Sequence, residues 1–266
     1  MNWQKTFFSA LAVGGAIGGG LLYYAAKIET EQLTITRPKL SNPLPLKTVF
    51  FSDVHVGKRY SPCHLVQIVD AINAQSPELV LFGGDFFAKL PKDFGVMDFN
   101  WIAKQLARIQ APYGKYAVLG NHDVRYNSKP FFYSLFRKSG FRILWNETVQ
   151  ISNTISLCGL SPYSNGKALS KMPEEGYRIC LCHMPDKARY LSLNRCDLML
   201  SGHSHNGQVQ LPILTKIILP PGGKMYPYGL YHPQGTDKAE LFVSRGIGTS
   251  GPPLRFLSCP EIVVFE

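Results

Sequence analysis

No two of the six cysteines (Cys63, Cys158, Cys180, Cys182, Cys196 and Cys259) are spaced C-x-x-C, and a chain of 266 residues does not need disulfides to hold it together. They read as buried thiols, a usage that favours a reducing compartment. Acidic residues are few: 18 Asp and Glu face 28 Lys and Arg, which leaves a net charge of +10 and a pI near 9.3. That balance points to a polyanionic partner, whether nucleic acid, an anionic membrane surface or a phosphorylated substrate, without choosing among them. There is no internal repeat, which excludes a solenoid. With 45% hydrophobic and 17% charged residues, the composition is that of one sizeable globular domain or at most two small ones.

Charge is also missing locally. Residues 7–26, FFSALAVGGAIGGGLLYYAA, carry none, and twenty helical residues rising about 1.5 Å each would match the roughly 30 Å hydrocarbon core of a bilayer. Tyr23 and Tyr24 sit where interfacial aromatics belong, and Lys5 and Lys27 bracket the run. A cleaved signal is disfavoured because no small-x-small site follows the run. A buried soluble helix is disfavoured because five glycines would each cost it up to about 1 kcal/mol. The expectation is a transmembrane anchor over 1–27, a Pro-containing linker over 28–46 and a catalytic domain over 47–266. The excess of basic residues after the anchor places that domain on the cytoplasmic side of a bacterial inner membrane.

From Lys47 onward, short apolar runs of strand type alternate with segments of helical period. Strands are expected at 47–52, 79–82, 116–119, 142–151, 154–160, 177–182, 198–201, 241–244 and 262–265, with helices near 62–75, 97–110 and 130–139. Strand after strand ends in a residue able to bind a metal. In open α/β sheets, sites form beyond the carboxyl ends of strands, so these ends can converge.

Five of the seven histidines lie at such ends, namely His55, His122, His183, His203 and His205, with Asp53, Asp85 and Asn121 beside them. Asp53 and His55 are two apart, as are His203 and His205. In a strand running into a turn, such pairs project to the same side. A carboxylate such as Asp85 has two oxygens and can bridge two cations about 3.5–4 Å apart. Oxygen and imidazole donors without thiolate suit manganese first, with iron or zinc as alternatives.

The blocks DVH (53–55), GGD (83–85), GNHD (120–123), CHMP (182–185) and GHSH (202–205) resemble, in order, the signature of the calcineurin-like metallophosphoesterase superfamily. GHSHNGQ (202–208) and SRGIGTSGPPLRFLSCPEI (244–262) resemble its branch of small bacterial membrane-associated phosphodiesterases of the YaeI and YkuE type, which also holds a UDP-2,3-diacylglucosamine pyrophosphatase. The resemblance implies an α/β fold, a four-layer αββα sandwich of two mixed sheets flanked by helices. It implies two divalent metal ions, one held by Asp53, His55, Asp85 and His205, the other by Asp85, Asn121, His183 and His203. His122 is then catalytic, stabilising the transition state and protonating the leaving oxygen, a task suited to imidazole. Asp123 either orients His122 or caps the following turn. GGDFFAKL (83–90) lacks the arginine and second aspartate that protein phosphatases carry after this aspartate, which disfavours a serine/threonine phosphatase. Asn206 replaces a glycine of the branch and, as asparagine, tolerates a positive φ there.

The function implied is a membrane-associated phosphodiesterase or pyrophosphatase acting on a lipid-linked phosphoester, such as UDP-2,3-diacylglucosamine in lipid A biosynthesis. Lys224 and Arg245 are the candidate substrate-binding cations. The alternatives are a nuclease or cyclic-nucleotide phosphodiesterase of the same superfamily, although no DNA-binding motif is present, and a non-catalytic scaffold, which has no need of eight convergent polar residues. The aromatic stretch 219–235 reads either as a loop beside a lipid-binding mouth or as packing over the sandwich edge. Phe131, Phe132, Tyr133 and Phe136 read as helix core.

Overall fold

The computed structural model describes residues 19–20, 22–27, 31–57, 62–88, 97–211, 214–236, 238–251 and 253–266. Among the described residues, twelve strands, β1 to β12, form two six-stranded mixed sheets. The first has the order β1 (Thr34–Thr36), β12 (Glu261–Phe265), β2 (Thr48–Phe51), β3 (Leu79–Phe82), β4 (Lys115–Ala117) and β5 (Phe141–Ile143). The second has the order β10 (Gly229–Tyr231), β11 (Glu240–Val243), β9 (Leu198–Ser201), β8 (Tyr177–Cys182), β7 (Ile155–Leu160) and β6 (Glu147–Ser152). Within each sheet the site-bearing strands are parallel: β2, β3 and β4 in the first, β8, β9 and β11 in the second. Their carboxyl ends therefore lie along one edge.

Alternation along each strand builds the layers. Phe50, Leu79, Leu81 and Val118 of the first sheet meet Leu157, Ile179, Leu181, Leu198 and Leu200 of the second in the central core. The residues between them, such as Val49, Phe51, Val80 and Phe82, turn outward against α1 (Pro62–Ala74), α2 (Phe99–Ala107) and α3 (Lys129–Lys138). Helix α2 starts where Asp98 accepts hydrogen bonds from the amides of Asn100 and Trp101 at 2.9 and 3.0 Å. Helix α3 carries Pro130 in its first turn and buries Phe132, Leu135 and Phe136, so Phe132 and Phe136 are core as expected and Phe131 packs partly against it, whereas Tyr133 is exposed.

On the outer face of the second sheet the fourth layer is not α-helical. Cys158, Cys180, Cys182 and Met199 pack there against the short 3-10 turns Lys167–Lys171 and Pro185–Arg189, because the connections on that side are short and interrupted by Pro162, Pro173 and Pro185. Burial raises the Cys158 and Cys182 thiols to about 11 and about 12, as expected of inert core thiols.

Three expectations change. The N-terminal transmembrane helix, and with it a location anchored to the inner membrane by that helix, is corrected: among the described residues no helix is long and apolar enough to cross a membrane. Of the uncharged run 7–26, the helical residues 19, 20 and 22–26 are described and 7–18 and 21 lie outside the described residues. The segment read as a linker contributes β1, paired in parallel with β12, and buries Leu40, Leu44 and Leu46. The single strand expected over 142–151 is two: β5 ends one sheet, Asn146 turns the chain at φ 55°, and β6 begins the other.

Candidate metal centre

The site lies where the two rows of strand ends face each other. After β2 the chain gives Asp53 and His55, after β3 Asp85, after β4 Asn121 and His122, after β8 His183, and after β9 His203 and His205. Two clusters result. Donor atoms of Asp53, His55 and His205 lie within 4.8 Å of one another, as do those of Asp85, His183 and His203. The residues brought together are those the strand-end pattern selected, but not by strand alternation. Asp53, His55, Asp85, His203 and His205 all adopt positive φ, between 48° and 71°, a conformation costly for residues other than glycine and concentrated at functional sites. Asn206 joins them at φ 52°, so the asparagine does hold the turn.

Each carboxylate is divided between two tasks. Oδ2 of Asp53 accepts the His203 amide at 3.0 Å, and Oδ1 of Asp85 accepts the His122 amide at 2.8 Å. The remaining oxygens face the clusters. Oδ2 of Asp85 lies 3.2 Å from His183 Nε2 and 3.8 Å from His55 Nε2. Oδ1 of Asp53 and Oδ1 of Asn121 are buried with no hydrogen-bond donor. Two glycines make this approach possible. A Cβ on Gly120 would stand 2.0 Å from Asp85 Oδ1, and one on Gly202 would stand 2.1 Å from Asp53 Oδ2.

The imidazoles are held from behind. Nδ1 of His183 pairs with the Gly83 carbonyl at 2.8 Å and Nε2 of His203 with the Pro221 carbonyl at 2.9 Å, which turns the other nitrogen of each ring inward. The Nε2 atoms of His55 and His205 face each other at 3.0 Å. Buried lone pairs gathered in this way, with orphaned carboxylate and amide oxygens among them, fit a pair of divalent cations.

Electrostatics follows from burial. Desolvation lowers His55 to about 3 and His203 to about 4, the latter helped by His183, and takes His205 well below its usual range. Burial opposes a charge on His183 too, but the carboxylates of Asp85 and Asp53 outweigh it and lift this histidine to about 10. Burial would raise Asp85, yet His183 and the surrounding imidazoles carry it far below the ordinary carboxylate range, whereas desolvation keeps Asp53 raised. Without a cation, the carboxylates thus favour a proton on His183, while burial disfavours one on the other three rings.

His122 sits at the edge, its side chain 22% exposed and its Nε2 4.0 Å from Asp85 Oδ2. Its Nδ1 meets the Ala88 carbonyl at 3.1 Å. Asp123 is turned away from it: its two oxygens accept the amides of Asp85, Phe86 and Gly120 at 2.7, 2.9 and 3.0 Å, bracing the two loops together. Burial, and then the neighbouring Asp85, push its carboxyl up to about 7. Arg245 is committed to Glu261, at 2.8 Å through Nη2, and lies over the Tyr228 ring. Lys224 borders a neighbouring cavity with Asn206 and Met225. The cavity over the metal clusters, about 610 Å³, is lined instead by Arg125, with Met184, Val209, Ile218 and Leu254.

Sequence reasoning missed Arg255. It is fully buried, donates to the carbonyls of Gly248, Arg245 and Ser258 and reaches His205 Nδ1 at 3.3 Å. The segment around it also binds the site backbone, with Gly248 N to Asp53 O at 2.7 Å and Ile247 N to Ser52 O at 3.1 Å. The run SRGIGTSGPPLRF is therefore a strap behind the first cluster. An arginine inside a glycine- and proline-rich run was the available signal.

Residues 46–207 match the family model for calcineurin-like phosphoesterases. The chain is 32% identical to the metallophosphoesterase YkuE of Bacillus subtilis, over 99% of this chain and 96% of that protein. It is 27% identical to phosphodiesterase YaeI of Escherichia coli, covering 99% and 98%. It is also 25% identical to the UDP-2,3-diacylglucosamine pyrophosphatase LpxG of Chlamydia muridarum, covering 91% and 92%.

Proposed function

Because the chain belongs to the calcineurin-like phosphoesterase family, we propose that it hydrolyses a phosphodiester or diphosphate bond at a two-metal centre. In this reading Asp53, His55, Asp85 and His205 hold one cation, and Asp85, Asn121, His183 and His203 hold the other. Asp85 carries the reading: with one oxygen fixed on the His122 amide, the other stands near both His183 and His55, the position a bridging ligand needs. Manganese is the preferred metal, and the oxygen and imidazole donor set also suits iron or zinc. The bound pair supplies charge against the phosphoryl oxygens and a nucleophile at neutral pH.

The remaining steps belong to side chains. His122, with Nδ1 against the Ala88 carbonyl, directs Nε2 to the cavity and from there delivers a proton to the leaving oxygen as the P–O bond breaks and water's oxygen joins phosphorus. Asp123 keeps the loops bearing Asp85 and His122 in register. A nucleotide-linked lipid of the UDP-2,3-diacylglucosamine kind is the substrate we favour. The named activity of the LpxG relative supports it, as does a cavity whose lining combines Arg125 with the apolar side chains of Val209, Ile218 and Leu254.

Turnover of bis-p-nitrophenyl phosphate with added Mn²⁺ tests the chemistry. Asp85→Ala is expected to reduce it by about a thousandfold or more, since removing the shared ligand disables both ion sites; retained activity in that variant contradicts the assignment. Ranking rates on UDP-2,3-diacylglucosamine, a cyclic dinucleotide and single-stranded DNA tests the substrate, and a preference for either of the last two overturns it.

A further inference from the structure

The cavity over the metal clusters has a single guanidinium on its wall, that of Arg125. Arg125 begins the 3-10 turn Arg125–Asn127, three residues after His122. The turn is pinned by Ser128, whose hydroxyl donates to the carbonyls of Asp123 and Arg125, and so is tied to the loop that carries the catalytic histidine. Its next two residues, Tyr126 and Asn127, are held at φ 57° and 54°, and Tyr126 is 79% exposed, so no core packing accounts for the strain. Arg125 is exposed and, like Arg137 and Arg189, has no carboxylate partner among the described residues, but of these three it alone lines this cavity. An arginine without a carboxylate partner, held by a pinned turn on the wall of this cavity, can meet an anion bound there.

We infer that Arg125 forms a second anion subsite, which takes the phosphate adjacent to the one being cleaved, so that the substrate class is a diphosphate ester rather than a simple phosphodiester. The inference rests on the phosphoesterase reading and narrows it. The scissile phosphoryl group falls to the two clusters and His122. A guanidinium outside that ligand set meets a neighbouring phosphate through parallel N–H donors, a geometry that lysine reproduces only as a point charge. The two candidate cations named from sequence are placed otherwise, Arg245 on Glu261 and Lys224 beside the adjoining cavity.

The test is competitive inhibition of bis-p-nitrophenyl phosphate turnover by UMP and by UDP, on the full chain loaded with Mn²⁺. In the unmodified protein UDP is expected to bind about tenfold or more tightly than UMP, the advantage of one charge-assisted contact. In Arg125→Ala the ratio collapses toward one, and in Arg125→Lys part of it returns. A ratio that Arg125→Ala leaves unchanged overturns the subsite. So does an equal weakening of both nucleotides, which would mean that Arg125 serves the scissile phosphate or steers anions in general. Failure of the unmodified, metal-loaded protein to turn over bis-p-nitrophenyl phosphate is the separate result that counts against the phosphoesterase reading. In that event, calorimetric binding of the same two nucleotides still decides the subsite.

Discussion

The two sheets contribute to the site unequally. Strand ends of the first supply Asp53, His55, Asp85 and Asn121, and so every oxygen donor; strand ends of the second supply His183, His203 and His205, imidazole alone. Each half is also aimed by the backbone of the other. The His203 amide donates to Asp53, and the Gly83 carbonyl holds His183. Carboxylates thus come from the first side only, and each of the two donor clusters draws on both sides. The outer layers differ in the same sense: three α-helices back the first sheet, while short 3-10 turns back the second. The strap through Arg255 joins the two sides, reaching His205 from behind and bonding the backbone of Ser52 and Asp53.

The comparison can be broken in three ways, in decreasing order of expected effect. Removing the proposed proton donor while leaving both halves of the proposed ligand set intact is the most severe after loss of Asp85. His122→Ala is expected to lower kcat by about 10²–10⁴ with unchanged metal content, and a parallel loss of metal would show that His122 is a ligand instead. Weakening the brace on the second side comes next. Arg255→Ala is expected to weaken metal affinity by about 10–100-fold, read by calorimetric titration, with Arg255→Lys intermediate. Equal affinity in all three proteins would reduce the strap to a packing element.

The smallest effect is on pH. In the metal-free protein the neutral His55, His203 and His205, whose folded values fall to about 3, to about 4 and well below the usual range, favour the folded state above the ordinary histidine value near 6.5, and that stability is lost as the pH falls below it. His183, raised to about 10, acts in the opposite direction: its contribution is complete below about 6.5 and lost as the pH rises toward 10. Melting temperature of the metal-free chain should therefore peak near pH 6.5 and fall more steeply on the acid side, where three rings outnumber the raised carboxyls of Asp123 and Asp53 that act against them, than on the alkaline side, where His183 acts. A flat profile from pH 4 to 9 would contradict this charge distribution.

Much of the site was legible because residues able to bind a metal follow short apolar runs whose length and β-branched or aromatic content favour strands. Runs such as Leu198–Ser201 and Leu79–Phe82 place the ensuing His203 and Asp85 at a sheet edge without further information. The reason given for their convergence was incomplete, however. Asp53 and His55 face one cavity because both adopt left-handed backbone, which period-two reasoning about strands does not contain. Asp123 illustrates the same limit, since only the fold shows that its carboxylate is spent on three amides. Arg125 and Arg255 lie in irregular turns, where no period marks a side chain as inward or outward. The N-terminal run is a different case: an uncharged composition permits a span, yet among the described residues no helix is long and apolar enough to cross a membrane.

The measurement that bears most directly on the shared centre is the manganese content of the purified chain, determined by elemental analysis after saturation with Mn²⁺ and removal of the excess. Two ions per chain are expected in the unmodified protein and fewer in Asp85→Ala. No bound ion in the unmodified protein, or the same two ions after loss of Asp85, would contradict a cation pair held between the sheets.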